Sequence, residues 1–293
     1  MAAAHPTSIY AVGATLGEGP VWVASDAAVW FVDIKERRLH YFRPDDGLAR
    51  SWNAPAQPGW ILPVAGGGML VGLQDGLHRF NPETGGFNLV HETEPHLPGN
   101  RLNDAVVDAK GHLWFGSMDD DEAAETGRLY RFADGRLHDS GVAPVVITNG
   151  PALSPDGATL YHTDTLRGLI WAIARHDDAT LGTPRLFAEI EQGAGYPDGP
   201  TIDAEGCVWT GLFGGWGVRR YAPDGRLIAT VPFPVANVTK IAFGGDGLTT
   251  AYATTARKGL DDRALQDQPL AGDLFAFDAG VAGLAGHRVV LAG

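Results

Sequence analysis

Glu18, Asn149 and Asp198 lie far apart in the chain, yet each stands 11 or 12 residues ahead of an aromatic: Trp30, Tyr161 and Trp209. Asn103 and Lys240 keep the same interval, 11 and 12 residues before Trp114 and Tyr252. If the interval marks one position in a repeated unit, Glu18, Asn149 and Asp198 converge on a common centre. Two carboxylates and an amide oxygen gathered there would repel one another and lose hydration unless a counter-charge joined them. A divalent cation supplies that charge. An all-oxygen donor set suits Ca²⁺, Mg²⁺ or Mn²⁺, with Fe²⁺ and Zn²⁺ also accommodated. Gly19-Pro20, Gly150-Pro151 and Gly199-Pro200 flank the three donors and restrict the backbone beside them. Capping of strands and binding of channel water would explain any one of these residues. Three in phase favour the cation. For Lys240 two roles stay open, contact with a substrate or compensation of negative charge.

The elements that must hold these residues are written in a repeat. Trp30, Leu70, Trp114, Tyr161, Trp209 and Tyr252 follow one another at steps of 40, 44, 47, 48 and 43 residues. Turn residues precede each of them, as in Asp108-Ala109-Lys110-Gly111 and Asp203-Ala204-Glu205-Gly206. A second apolar run follows each, for example Leu39-His40-Tyr41-Phe42 and Leu129-Tyr130-Arg131-Phe132. Alternating aromatic and β-branched runs bounded by Gly, Asp and Pro read as strands joined by turns. Asp134-Gly135, Asp156-Gly157, Asp224-Gly225 and Asp246-Gly247 suit tight hairpins. A period of about 40–50 residues with several strands per unit predicts a β-propeller. Six units predict six blades in one all-β domain over residues 1–293, with a central channel lined by the innermost strand of each blade. An irregular β-sandwich would leave the matched units unexplained. Closure is expected where Arg288-Val289-Val290-Leu291 pairs beside a strand near Ile9 to Val12. Short helical turns are expected over Asp119 to Glu125 and Asp261 to Gln268. In the second unit Trp60 takes the place of the polar residue, 10 residues before Leu70, and is expected to form a wall of the channel.

Length alone would suggest two domains, but the even repeat favours one ring. The net charge of −13 argues against nucleic-acid and anionic-membrane partners. Cys207 is the only cysteine, which excludes an internal disulfide and a cysteine-based zinc site. It reads as a small buried hydrophobe in a strand. The first residues lack the pattern of a signal peptide, and no 18-residue apolar run is present. The expectation is a soluble, cytoplasmic monomer.

Several motifs carry a family likeness. Leu16-Gly17-Glu18-Gly19-Pro20-Val21-Trp22, Asn100-Arg101-Leu102-Asn103-Asp104, Thr148-Asn149-Gly150-Pro151 and Tyr196-Pro197-Asp198-Gly199 occur in order. So do Trp30 to Lys35, Tyr161-His162-Thr163-Asp164-Thr165, and Thr254 to Leu260. Across nearly its whole length the chain resembles the SMP-30/gluconolactonase family, regucalcin and bacterial sugar lactonases among them, with the character of an aldonolactonase such as xylonolactonase. The resemblance implies a six-bladed propeller with one divalent metal ion in the channel, held by Glu18, Asn149 and Asp198. It implies substrate contact through Arg101, Asn103 and an acidic residue that falls at Asp121, within the run Asp119 to Glu122. Asp198, beside ligating the metal, is the candidate on chemical grounds to steer or deprotonate water.

Opening a sugar lactone requires a polarised carbonyl, an attacking water and a stabilised oxyanion. A channel cation serves the first and third. Arg101 offers a planar fork of donors, and Asn103 both donates and accepts. A cation-binding propeller without turnover is the alternative; it needs the three donors but not Arg101 and Asn103. An esterase for organophosphates or aromatic lactones would want a more apolar mouth than Arg101 and the acidic run suggest. Other chemistries find no support. His91 and His96 are five residues apart with Pro95 between them, so they do not form a helical zinc motif. No Gly-x-Ser-x-Gly elbow or phosphate-binding glycine loop occurs. Asn237-Val238-Thr239 matches a glycosylation sequon but reads as inert without a secretory signal. His162 and Asp164 read as a core pair, with orientation of the site as the second possibility.

Overall fold

Each Trp, Tyr or Leu anchor of the repeat lies in the second strand of a four-stranded antiparallel sheet. The computed structural model, which describes residues 5–291, contains six such sheets. Their first strands are Gly17–Val23, Pro58–Pro63, Asn100–Val107, Thr148–Leu153, Tyr196–Ile202 and Val238–Gly244. These strands pack against one another around a ring, so they are the innermost ones. The architecture is a six-bladed β-propeller.

Ring closure differs from the expectation. Thr7–Tyr10 pairs antiparallel with Leu274–Asp278 and completes the sixth blade as its outermost strand. The last strand of a blade otherwise presents unpaired N–H and C=O groups. Tyr10 then stacks on Phe42 of the first blade at 5.0 Å. The segment around Arg288 to Leu291 goes elsewhere. Val289 forms a parallel bridge to Val64, and Val290 N–H donates to Gly111 O at 3.0 Å, so this segment spans the second and third blades.

The apolar anchors fill the space between blades. Trp60, Trp114 and Trp209 are fully buried, and a buried aromatic removes on the order of 150–250 Å² from water. The Asp-containing turns ahead of the anchors have a specific task. Asp203 accepts from Glu205 N–H, Cys207 N–H and Trp209 Nε1 at 2.8–2.9 Å, and from Arg220 Nε at 2.8 Å. Asp108 holds Lys110 N–H, His112 N–H and Trp114 Nε1 in the third blade in the same way. A buried carboxylate so surrounded fixes the turn and the Trp together. Cys207 is buried and free.

One helix of six residues forms at Asp262–Asp267, capped by Asp261 Oδ1, which accepts from Ala264 N–H at 2.8 Å. Asp119 to Glu125 is not helical: Asp119 Oδ2 accepts from Ala123 and Ala124 N–H and holds the segment as turns. No helix of the described residues is long and apolar enough to cross a membrane.

Every innermost strand carries a register irregularity at the same height. The shifts fall between Glu18 and Val21, Pro58 and Trp60, Leu102 and Ala105, Asn149 and Ala152, Pro197 and Pro200, and Val238 and Ile241. A bulge leaves residues unpaired and re-aims their side chains. The residues singled out by spacing sit at or inside these bulges.

Candidate functional site

The bulges position the site. A cavity of about 270 Å³ is lined by Glu18, Arg101, Asn103, Asn149 and Asp198, with Thr165, Glu122 and Lys258. Five of the six residues expected at the site therefore meet at one cavity. All five are buried, from 3% to 6% exposed.

Each carboxylate folds back on the glycine that follows it. Glu18 Oε2 accepts from Gly19 N–H at 2.9 Å, and Asp198 Oδ1 accepts from Gly199 N–H at 3.0 Å. Gly19 and Gly150 adopt φ of +56° and +75°, a region that other L-residues occupy only with strain. A Cβ on Gly150 would also come within 2.9 Å of Pro200 Cγ. The glycines of the flanking Gly-Pro pairs thus permit both the turn and the close packing of adjacent blades.

Asn149 is fixed at both ends of its amide. Its Nδ2 donates to Thr165 Oγ1 at 2.9 Å, and its Oδ1 accepts from Asn103 Nδ2 at 3.1 Å. Asn103 Nδ2 also donates to Thr148 O at 2.6 Å, while its Oδ1 accepts from Arg101 Nη1 at 2.6 Å. Arg101 Nε donates to Asp120 Oδ1 at 2.8 Å. Among the described residues Arg101 Nη2 makes no hydrogen bond, and Arg101 lines the cavity.

The electrostatics follow from burial. Glu18 is held well above the usual carboxylate range by desolvation, then by the charges of Asp198 and Asp104. Asp198 is pushed up to about 7, by desolvation and then by Asp104. The two carboxyls therefore keep a proton to unusually high pH when nothing else offsets their charge. A hard cation fits this donor set: two carboxylates and the Asn149 amide oxygen line one cavity, and among the described residues no cationic side chain bonds to either carboxylate. Among the described residues no three His, Cys, Asp or Glu side chains gather as a metal-ligating group; the third oxygen here belongs to an amide.

The acidic residue of the 119–122 run differs from the expectation. Asp121 is exposed and lies off the cavity wall. Its neighbours are less exposed: Asp119 is buried, and Asp120 and Glu122 are half-buried. Asp120 accepts from Lys35 Nζ at 2.7 Å and Gln57 Nε2 at 2.8 Å as well as from Arg101. Against the upward push of partial burial, those bonds and the Arg101 charge hold its carboxyl at about 2. Glu122 reaches the wall and pairs with Lys258. Trp60 forms no wall; it is 1% exposed in the core beside Leu62 and Phe115. Lys240 is not on the wall either, and its Nζ pairs with Asp104 Oδ1 at 2.5 Å. His162 and Asp164 are both buried but not bonded to each other. Burial lowers the imidazole to about 4, and Asp164 accepts from Arg167.

The mouth is more apolar than the sequence suggests. Leu166 and Tyr196 are 41% and 49% exposed at the cavity, and Leu16, Met118, Ile147 and Phe213 continue the wall. Sequence spacing missed Asp104, Asp120, Thr165 and Lys258. All four lie inside stretches the family likeness covers: Asp104 in 100–104, Asp120 in the acidic run 119–122, Thr165 in 161–165 and Lys258 in 254–260.

Comparison with known proteins settles the lineage. Residues 16–257 match the profile of the SMP-30/Gluconolactonase/LRE-like region. The chain belongs to the SMP-30/gluconolactonase family. Among SMP-30/gluconolactonase relatives, it is 36% identical to L-arabinolactonase of Azospirillum brasilense, over 94% of this chain and 92% of that protein. It is 32% identical to 6-deoxy-6-sulfogluconolactonase of Pseudomonas putida, over 92% and 93% of the two chains. The structure of regucalcin from Agrobacterium tumefaciens, a calcium-binding protein, superposes with a TM-score of 0.90 at 30% identity, covering 98% and 96%.

Proposed function

We propose that this chain is a sugar lactonase that opens aldonolactones to aldonic acids with the help of one divalent metal ion. The observation that carries the reading is the meeting of Glu18, Asn149 and Asp198 with the Arg101–Asn103 pair on one cavity. The lactonase relatives support the substrate class. The volume lies near the lower end of small-molecule sites, about 300 Å³ upward, as a single five- or six-membered lactone ring requires. The polar floor suits the hydroxyls and carbonyl, while the apolar wall suits the ring's C–H faces.

Glu18, Asn149 and Asp198 would hold the metal ion. When bound there it would supply Lewis-acid polarisation of the lactone carbonyl and charge for the developing oxyanion. The remaining work falls to the chain. Arg101 Nη2 donates to a substrate oxygen, and Asp120 and Asn103 hold the guanidinium plane in place for it. Asn103 keeps Asn149 in register. Asp198 receives a proton as water adds to the carbonyl carbon. The ring C–O bond then breaks, and the proton passes from Asp198 to the departing ring oxygen, leaving a hydroxyl and a carboxylic acid that releases its remaining proton to solvent. A carboxylate next to a cation is a weaker base than a free one, so Asp198→Asn tests the proton transfer: near-normal turnover with metal retained rejects it. The protein would work as a single domain, as a cytoplasmic monomer.

The reading is tested by a pH-stat screen of five- and six-carbon aldonolactones on chelator-treated protein, with Ca²⁺, Mg²⁺, Mn²⁺, Zn²⁺ and Fe²⁺ restored singly. Acceleration that needs an added ion is expected. No acceleration with any lactone and any ion rejects the reading in favour of a cation-binding propeller without turnover, a role that would leave the free Nη2 of Arg101 without a task.

A further inference from the structure

Asp104 and Lys240 form an ion pair that the proposed reaction does not use. They are 136 residues apart, 2% and 7% exposed, and joined at 2.5 Å. Neither lines the cavity. A buried ion pair carries a desolvation penalty that good geometry only offsets, so stability alone is a weak reason for one.

Its surroundings give a better reason. Asp104 belongs to the third-blade bulge, directly after Asn103. Its Oδ2 accepts from Gly150 N–H at 3.0 Å, and Gly150 directly follows Asn149. Its Oδ1 also accepts from Ala105 N–H at 2.7 Å. Lys240 belongs to the sixth-blade bulge. Its aliphatic stem lies on Gly199, where a Cβ would come within 2.7 Å of Lys240 Cδ. Gly199 follows Asp198, and its N–H holds the Asp198 carboxylate. One charged pair thus touches the backbone beside two of the three proposed donors, and links the third, fourth, fifth and sixth blades. The two halves carry opposite charge beside the site: the Asp104 carboxylate bonds the backbone next to Asn149, and the Lys240 side chain lies on the backbone next to Asp198.

Resting on the cation reading above, we infer that Asp104 and Lys240 are positioning residues that set the affinity of the Glu18–Asn149–Asp198 pocket for a divalent cation through opposed charges. Asp104 strengthens the attraction, and Lys240 limits it so that the bound ion is not over-neutralised by three carboxylates. A merely structural pair would behave differently, because loss of either partner would loosen the same bulges and weaken binding in both cases.

Calorimetric titration of chelator-stripped protein with Mn²⁺ and with Ca²⁺ tests this, at a pH well above the range where the site takes up protons. Lys240→Met is expected to bind at least about tenfold tighter and Asp104→Asn at least about tenfold weaker, a conservative floor, because a unit charge and a divalent ion within about 10 Å interact more strongly than that at an effective dielectric of about 20. Shifts in the same direction, or none, overturn the inference. If wild type binds neither ion, the cation reading fails first and takes this inference with it; Glu18→Gln abolishing a measured wild-type signal secures that reading separately. Removing one member leaves a buried charge, so a single variant can fail to fold. In that event the double variant D104N/K240M decides: binding within about threefold of wild type is expected, and a loss of about tenfold or more overturns the inference.

Discussion

Asn103 Nδ2 donates to Asn149 Oδ1 at 3.1 Å, which ties a proposed substrate-holding residue to a proposed metal ligand. Thr165 Oγ1 accepts from the other end of the same amide at 2.9 Å. Together they dictate that Asn149 presents oxygen, not nitrogen, to the centre. Partners that orient a ligand are worth about 10–100-fold in metal affinity. Asn103→Ala and Thr165→Val are each expected to weaken Mn²⁺ binding on that scale, measured by calorimetry, with Thr165→Val leaving the fold intact. Wild-type affinity in both would mean the amide is oriented by something else.

Arg101 is braced from two sides, by Asp120 at Nε and by Asn103 at Nη1. A lysine has one point charge and cannot reproduce the fork. Arg101→Lys is expected to lower kcat/KM on the order of 10²-fold, the scale of a small misplacement of a reacting group. Asp120→Asn should lower it in the same direction, because it removes the carboxylate shared by Arg101 and Lys35. Asp121→Asn, on an exposed residue, should leave both kinetics and unfolding midpoint unchanged. A large kinetic loss in Asp121→Asn with none in Asp120→Asn would reverse the assignment of the acidic run.

The sequence carried the ring more openly than it carried the site. Trp30, Trp114, Tyr161, Trp209 and Tyr252 repeat because each blade needs the same filler between sheets, so their spacing reveals the fold. The polar residues were found by distance from those anchors, at intervals of either 11 or 12. In a regular strand that one-residue difference would put Glu18 and Asp198 on opposite faces. They share a face because the extra residue lies in the hairpin turn: Val21 pairs with Trp30 and Thr201 with Trp209, and Glu18 and Asp198 each stand three residues before that partner, inside a bulge that no residue pattern announces in advance. For the same reason Asp104, adjacent to Asn103, was passed over. Its partner Lys240 had the right phase, but phase cannot tell a wall residue from a buried ion pair. Asp120, Asp121 and Glu122 differ only in how a turn points them, and like residues in a row conceal that. The closing strand is not legible because two terminal segments are both apolar enough to serve, and only the free edge of Leu274–Asp278 decides between them.

Gly59 occupies the second-blade bulge where Trp60 replaces a polar residue. A Cβ there would lie 2.4 Å from Leu102 O and 3.0 Å from Asn103 N, both backbone atoms that cannot swing away. Gly59→Ala must therefore push the second and third innermost strands apart. A loss of about 2 kcal/mol or more is expected from overpacking of this kind, with kcat/KM falling as Asn103 moves. Gly286→Ala, which meets nothing within 4 Å, is the control and should be silent. Urea unfolding of the two variants beside wild type measures the difference; equal midpoints would show that the blades yield at little cost.

Protons and cations compete for the same carboxylates, and the competition has a direction. Asp198 rises from 3.8 to about 7 on folding, chiefly through burial, and Glu18 rises as well. Between about pH 4 and about pH 7 the folded, metal-stripped protein therefore binds more protons at this site than the unfolded chain. Stability from these groups is present at low pH and is lost as pH rises through that window. His40 and His162 work the other way: burial lowers each from 6.5 to about 4, so their contribution grows as pH rises from about 4 to 6.5 and is lost on acidification. The two trends oppose each other in wild type, and Asp198→Asn separates them. The stability of stripped wild type minus that of Asp198→Asn, from urea midpoints, is expected to fall between about pH 4 and about pH 7 and then level off. Mn²⁺ affinity of wild type should climb over the same window, with proton release on binding. A stability difference that is flat across the window would mean that Asp198 titrates near its ordinary value in the folded protein, and that burial beside Glu18 and Asp104 does not govern the site's charge.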